Sequence, residues 1–238
     1  MKISAAIAAL ASACVIAPLA SADILAYRTT FESGALGSEW SANSVINSEV
    51  RSTFSRFNGR YSTGYTQLTL PSLPALRPPS GPGGGGESGG GGAGGAGNAQ
   101  WYEVTLAFDF YCIDSWDGST SFGPDRFRVL ANGTQILRNT FTNQPGNSDD
   151  YPVDPDQFGQ LGFHPRWSDS IYRGITRTIE YSGGDPLVFR WMDEGLQGMG
   201  DESWGIDNVS VSYRLVPAPA AGALPLLGAL FATRRRRA

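Results

Sequence analysis

The sequence predicts an all-β protein: an antiparallel two-sheet β-sandwich of the jelly-roll kind, with helical segments only at its two ends. Three observations carry this expectation. Several short stretches alternate apolar and polar residues with period two, as half-buried strands do. Asn132-Gly133 stands between two apolar runs, the strongest short hairpin signal a sequence offers. No segment other than the two termini sustains a 3.6-residue apolar stripe. Seven or more short strands separated by Gly, Pro, Asn and Asp turns stack as two sheets around one core.

Residues 1–22 have the form of an export signal. Lys2 supplies the positive start, Ile3 to Leu19 are almost all apolar or small, and Ala20-Ser21-Ala22 resembles a cleavage site before Asp23. Residues 23–215 are the length of a single domain. Strands are expected at Leu25 to Phe31, Tyr65 to Leu70, Trp101 to Cys112, the hairpin around Asn132, Gly174 to Tyr181, Leu187 to Trp191 and Ile206 to Tyr213. In the third of these, Val104, Leu106, Phe108, Phe110 and Cys112 share one face, while Glu103, Thr105, Asp109 and Tyr111 share the other. Ile206 does not share one alternation with Val209, Val211 and Tyr213, so a β-bulge is expected at Asp207-Asn208. Residues 71–100 hold runs of glycine and alanine without core-forming side chains and read as a loop inserted between strands. No G-K-[ST] follows these glycines, which argues against a phosphate cradle. Asn139 to Asp169 is polar, rich in Pro, Asn and Asp, and reads as one long surface loop.

Charge and composition narrow the function. Setting aside Lys2 and the four terminal arginines leaves 13 basic residues, all arginine, against 22 acids, a net charge of −9. Such a body has no electrostatic footprint for nucleic acid or an anionic membrane and suits divalent cations or neutral partners such as sugars. With Cys14 inside the export signal, Cys112 is the one cysteine of the mature chain; it continues an apolar face and is expected to be buried and inert. The single histidine, His164, has no G-x-S-x-G partner, so a Ser-His-Asp relay is not expected, and a histidine-rich zinc site is excluded.

Two stretches place a tryptophan between carboxylates: Asp114-Ser115-Trp116-Asp117-Gly118 and Asp201-Glu202-Ser203-Trp204-Gly205. An indole face stacks on a pyranose while carboxylates accept its hydroxyls, so Asp114, Trp116, Asp117, Glu202 and Trp204 are candidate glycan contacts. Carboxylates and loop carbonyls also suit calcium. The alternative is that the tryptophans fill the rim of the core and the acids cap turns. A carboxylate pair drawn from Asp114, Asp117, Asp201 and Glu202 acting as a glycosidase is the lesser reading; no catalytic residues are assigned.

FESGALGSEW (31–40) and SWGIDNVSV (203–211) resemble the opening and closing strands of secreted jelly-roll modules, among them the MAM domain and carbohydrate-binding modules, although the MAM cysteines have no counterpart. The resemblance implies a calcium ion shared between Glu32 and Asp207. The ordered segments IDSWDG, GPDRFRV, DSIYR and GLQGMGDESWGIDNVSV are similar to a module of exported proteins of environmental bacteria, over most of residues 101–213.

Residues 216–238 close the chain as VPAPAAGALPLLGALFATRRRRA. The 18 residues Val216 to Thr233 would span about 27 Å as a helix, short of a hydrocarbon core of about 30 Å. Pro225 would disturb that helix, and four arginines would hold its end in the cytoplasm. The segment is similar to the PEP-CTERM sorting signal in its Pro217-Ala218-Pro219 motif, short apolar helix and arginine cluster Arg234, Arg235, Arg236 and Arg237; Ala218 stands where that family has Glu. This resemblance implies transient inner-membrane insertion, processing by an exosortase-type enzyme, and release to a cell surface or matrix rich in extracellular polysaccharide. A plain C-terminal membrane anchor is the alternative. The expectation for the whole chain is an exported, non-enzymatic surface or matrix protein with glycan and calcium contacts, or a purely structural matrix protein without a ligand.

Overall fold

The computed structural model describes residues 22–47, 53–75, 101–120 and 122–216. The export signal through residue 21, most of the glycine-rich insertion (76–100) and the sorting segment from Pro217 onward, with Pro219 and Arg234 to Arg237, lie outside the described residues. Among the described residues no helix is long and apolar enough to cross a membrane.

All eleven elements among the described residues are strands: β1 Ile24–Thr29, β2 Ile46–Asn47, β3 Phe57–Tyr61, β4 Tyr65–Leu70, β5 Trp101–Asp114, β6 Arg126–Ala131, β7 Thr134–Thr140, β8 Gln157–Gly159, β9 Asp169–Tyr181, β10 Leu187–Glu194 and β11 Glu202–Val216. They form two antiparallel sheets. The larger runs β2-β3-β11-β5-β9-β8, with β1 also paired to β11; the smaller runs β4-β10-β6-β7. The chain is thus a β-sandwich, as its period-two patterning predicts.

Alternation decides what lies between the sheets. Val104, Leu106, Phe108, Phe110 and Cys112 of β5 face Phe127 and Val129 of β6 and Phe189 and Trp191 of β10 in one fully buried core. Phe110 and Phe127 stack with centroids 4.0 Å apart, and Phe108 meets Trp191 edge-on. Each large ring removes roughly 150–250 Å² from water, which makes this layer the main source of cohesion. The Asn132-Gly133 turn closes β6 on β7 with positive φ at both residues, 46° and 81°, the backbone twist a two-residue hairpin requires.

Two expectations are corrected. Tyr111 and Asp109 share the face opposite Phe110, as the alternation predicts, but that face is covered rather than open to solvent: both are buried. Tyr111 lies with Ile113 and Ile171 under Phe54, Phe57 and Phe163 in a second apolar cluster on the outer face of the large sheet, so the last half of β5 is buried on both faces. Within the long polar stretch, Gln157–Gly159 forms a short edge strand on β9, which itself begins at Asp169. Asn58-Gly59, with the composition of a turn, lies inside β3. A side chain at Gly59 or at its partner Gly205 would collide with the Phe57 ring, which crosses both.

β11 changes its edge partner midway. Trp204 to Ile206 pair with β3, and Val209 to Tyr213 pair with β1. At the changeover the register against β5 slips between Asp207 and Ser210, and Asn208 takes a φ of 49°. This is the bulge the broken apolar phase predicts.

Candidate functional site

β5, β7 and β10 end, and β6, β9 and β11 begin, at one end of the sandwich, as the pairs Asp114–Glu202, Glu194–Arg126, Arg126–Thr140 and Cys112–Ser170 show. Both tryptophan-carboxylate stretches therefore meet there. Asp114 leaves β5 with φ of 68°. Its amide donates to Asp169 Oδ1 at 2.9 Å, and its carboxylate takes Arg60 at 2.6 Å. The Asn143 side-chain amide ties the Cys112 and Asp114 carbonyls. Ser115 Oγ donates to Asp201 Oδ1 at 2.6 Å, joining the β5–β6 loop to the β10–β11 loop.

Both tryptophans point into the core. Trp116 and Trp204 are each 0% exposed. The Trp116 indole N–H donates to the Ser203 carbonyl and the Trp204 indole N–H to Asp193 Oδ1, each at 2.8 Å. The rings pack against Phe110, Phe141, Phe127 and Tyr61 and turn no face outward for a sugar to stack on. They fill the rim of the core. Parity already contains this for Trp204, which shares the inward phase of Ile206.

The carboxylates separate into three groups. Asp114 and Asp169 surround Arg60, which also donates to Ser203 Oγ and the Met199 carbonyl; burial raises the Asp114 carboxyl to about 6 against the opposing pull of Arg60. Asp207 is buried in the bulge, where it accepts from Tyr111, Ser55 and the Asn208 amide. Burial raises it to about 6. The Glu32 side chain is exposed, and its carbonyl accepts from Arg56; no described hydrogen bond links the Glu32 carboxylate to Asp207, whose oxygens are satisfied by other donors. The third group is Asp117, Asp125 and Glu202, whose nearest oxygens lie within 4.8 Å of one another. Asp125 immediately precedes β6 in the segment GPDRFRV and carries no local signal beyond an acid before an apolar strand; its role emerges only when the β5–β6 loop folds back. Burial pushes the Asp125 and Glu202 carboxyls up, as it does Asp117 more weakly.

The loops around this group expose apolar side chains. Phe122 is 75% and Met199 51% exposed, and Gln197 Nε2 donates to the Phe122 carbonyl at 2.7 Å, binding the two loops together. His164 stacks on Trp167 and its Nδ1 accepts the Arg166 amide, a local structural role. A hollow of about 590 Å³ lies away from this end, lined by Ala26, Tyr27, Glu39, Leu70 and Pro186; it holds only one of the acidic side chains of the chain and none of the candidate contacts. No protein-family model matches the chain, and no curated protein is found to be similar to it.

Proposed function

We propose that this is an exported, non-enzymatic jelly-roll protein of the cell surface or extracellular matrix, which touches neutral polysaccharide through the loop end of its sandwich. The observation that carries the reading is that exposed Phe122 and Met199 and half-buried Asp117 lie on two loops cross-tied by Gln197 and Ser115. An exposed ring and hydroxyl acceptors on cross-tied loops are the elements sugar recognition needs, and here Phe122 takes the part expected of Trp116 and Trp204. The terminal signals support export, transient insertion in the inner membrane and processing by an exosortase-type enzyme. Asp114 and Glu202 are closed off from solvent, with no room for a glycosidic oxygen between them, which favours a binding role for the exposed loops over glycoside hydrolysis.

Pull-down on a panel of neutral and acidic polysaccharides tests this reading. Binding is expected for the wild type and is expected to fall at least tenfold in Phe122→Ser with an unchanged melting temperature. Absence of binding across the panel would leave a purely structural matrix protein. Mass spectrometry of the secreted protein is expected to show a C-terminus short of Ala238; an intact tail contradicts processing.

A further inference from the structure

Asp125 and Glu202 are each 0% exposed, and each uses one carboxylate oxygen on a main-chain amide: Asp125 Oδ2 accepts from Asp117, and Glu202 Oε2 accepts from Gln197 at 2.8 Å. Their other oxygens, Asp125 Oδ1 and Glu202 Oε1, are buried and take no well-formed hydrogen bond from a donor group, while the two carboxyls stand within hydrogen-bonding reach of each other. A buried carboxylate oxygen left bare costs several kcal/mol in a protein interior, so such atoms are normally matched by a donor or a cation. No arginine pairs with Asp117, Asp125 or Glu202 among the described residues, and Asp201 adds its own negative charge beside Asp117 and Glu202. The ligand atoms of the three lie within 4.8 Å of one another, inside the roughly 5 Å that opposed oxygens of one calcium ion span at 2.3–2.6 Å each. Asp117 is half-buried and opens the group toward solvent, which supplies an entry path and room for coordinating water.

We infer that Asp117, Asp125 and Glu202 form a calcium site that clamps the β5–β6 loop to the first residue of β11. The donor set is all oxygen, which suits a hard cation, and the irregular loop geometry suits calcium better than the near-ideal octahedron magnesium demands. Charge neutralisation explains how three acids are held together at the end of a sandwich already rich in negative charge. The ion would fix the two loops that carry Phe122 and Met199, and it shares Asp117 with the proposed polysaccharide contact; Phe122→Ser, which touches no ligand of the ion, is expected to lose polysaccharide binding with the calcium response intact, so the two readings fail separately.

Terbium luminescence reads the site directly, because Trp116 adjoins Asp117 and Trp204 lies two residues from Glu202, close enough to sensitise a bound lanthanide. The purified protein is expected to sensitise terbium emission, to lose it on calcium addition, and to melt at lower temperature after chelation than in millimolar calcium. Glu202→Gln and the milder Asp117→Asn should each weaken calcium competition at least tenfold, with near-ultraviolet circular dichroism reporting that the fold persists; Glu103→Gln, on a half-buried ion pair with Arg214 remote from the site, should leave the calcium response unchanged. Absence of sensitised emission together with a melting temperature indifferent to calcium overturns the site. So does a wild-type calcium response retained in Asp117→Asn and Glu202→Gln. A calcium-insensitive protein that Glu202→Gln stabilises would show instead that Asp125 and Glu202 share a proton.

Discussion

The Asn208 side-chain amide donates to Asp109 Oδ2 at 2.8 Å across the bulge between β11 and β5. The other oxygen of Asp109 accepts the Gly174 amide at 2.7 Å on the opposite side, where β9 also slips its register against β5. Gly174 and Asn208 both have positive φ, 61° and 49°. One carboxylate on the central strand therefore closes two bulges on flanking strands, each of which would otherwise leave a polar group unpaired. Asp109→Ala is expected to lower stability by about 2–3 kcal/mol, since it deprives both donors at once. Asn208→Gly keeps the backbone conformation and should cost about half as much. Urea titrations of the two variants check the order.

Asp207, beside this bulge, makes stability depend on pH. Burial lifts its carboxyl to about 6, partly opposed by hydrogen bonds from Asn208, Tyr111 and Ser55, with the Asp109 charge adding to the rise. A carboxyl whose folded pKa exceeds its unfolded value binds its proton more tightly when folded. Its favourable contribution is complete below about pH 4 and fades as pH rises through about 6. Relative to Asp207→Asn, the wild type should gain on the order of 2 kcal/mol between pH 7 and pH 4.5. A flat difference between the two proteins, or one of opposite sign, contradicts this assignment.

Cys112 lies at 0% exposure in the main core. Burial pushes its thiol well above the usual range, and the charges of Asp169, Asp125 and Glu202 push it the same way. The native protein should resist a thiol-reactive dye for hours and react fully once unfolded in urea. Rapid labelling of the native state would show that the core opens locally far more often than its packing implies.

Local pattern carried a definite part of this structure and stopped at a definite boundary. Alternation over Val104 to Cys112 names the inner face of β5, and the phase break at Asp207-Asn208 locates the bulge, because both follow from side chains near in sequence. The burial of Tyr111 and Ile113 does not follow. It depends on Phe54 and Phe163 arriving from segments distant in the chain, so an outward position reads as solvent-facing until the fold covers it. The tryptophans illustrate the same limit within the site. Their composition, an aromatic between carboxylates, suits a sugar and a core rim equally, and only ring direction separates the two. Asp125 is not legible in the sequence for a related reason: an acid before an apolar strand is commonplace, and it becomes distinctive only when the loop brings Asp117 and Glu202 to it.

Arg60 supplies the sharpest energetic test of the loop end. Its guanidinium pairs with Asp114 at 2.6 Å, donates to Ser203 Oγ at 2.8 Å and to the Met199 carbonyl at 3.0 Å, and lies over the Phe163 ring at 4.7 Å. It thereby joins β3, β5, β11 and two loops. Removing it strands the Asp114 carboxylate, which is 2% exposed and whose Oδ1 already lacks a partner. A buried charge deprived of its partner costs about 3–5 kcal/mol; the partial exposure of Arg60, 21% for its side chain, lowers the expectation for Arg60→Ala to about 2–3 kcal/mol. If the stranded charge is the cause, neutralising it should return part of the loss. Arg60→Ala combined with Asp114→Asn should therefore be more stable than the sum of the single changes by about 1 kcal/mol or more in a double-mutant cycle. Strict additivity would mean that Arg60 acts through its contacts with Ser203, Met199 and Phe163, and that the ion pair contributes little.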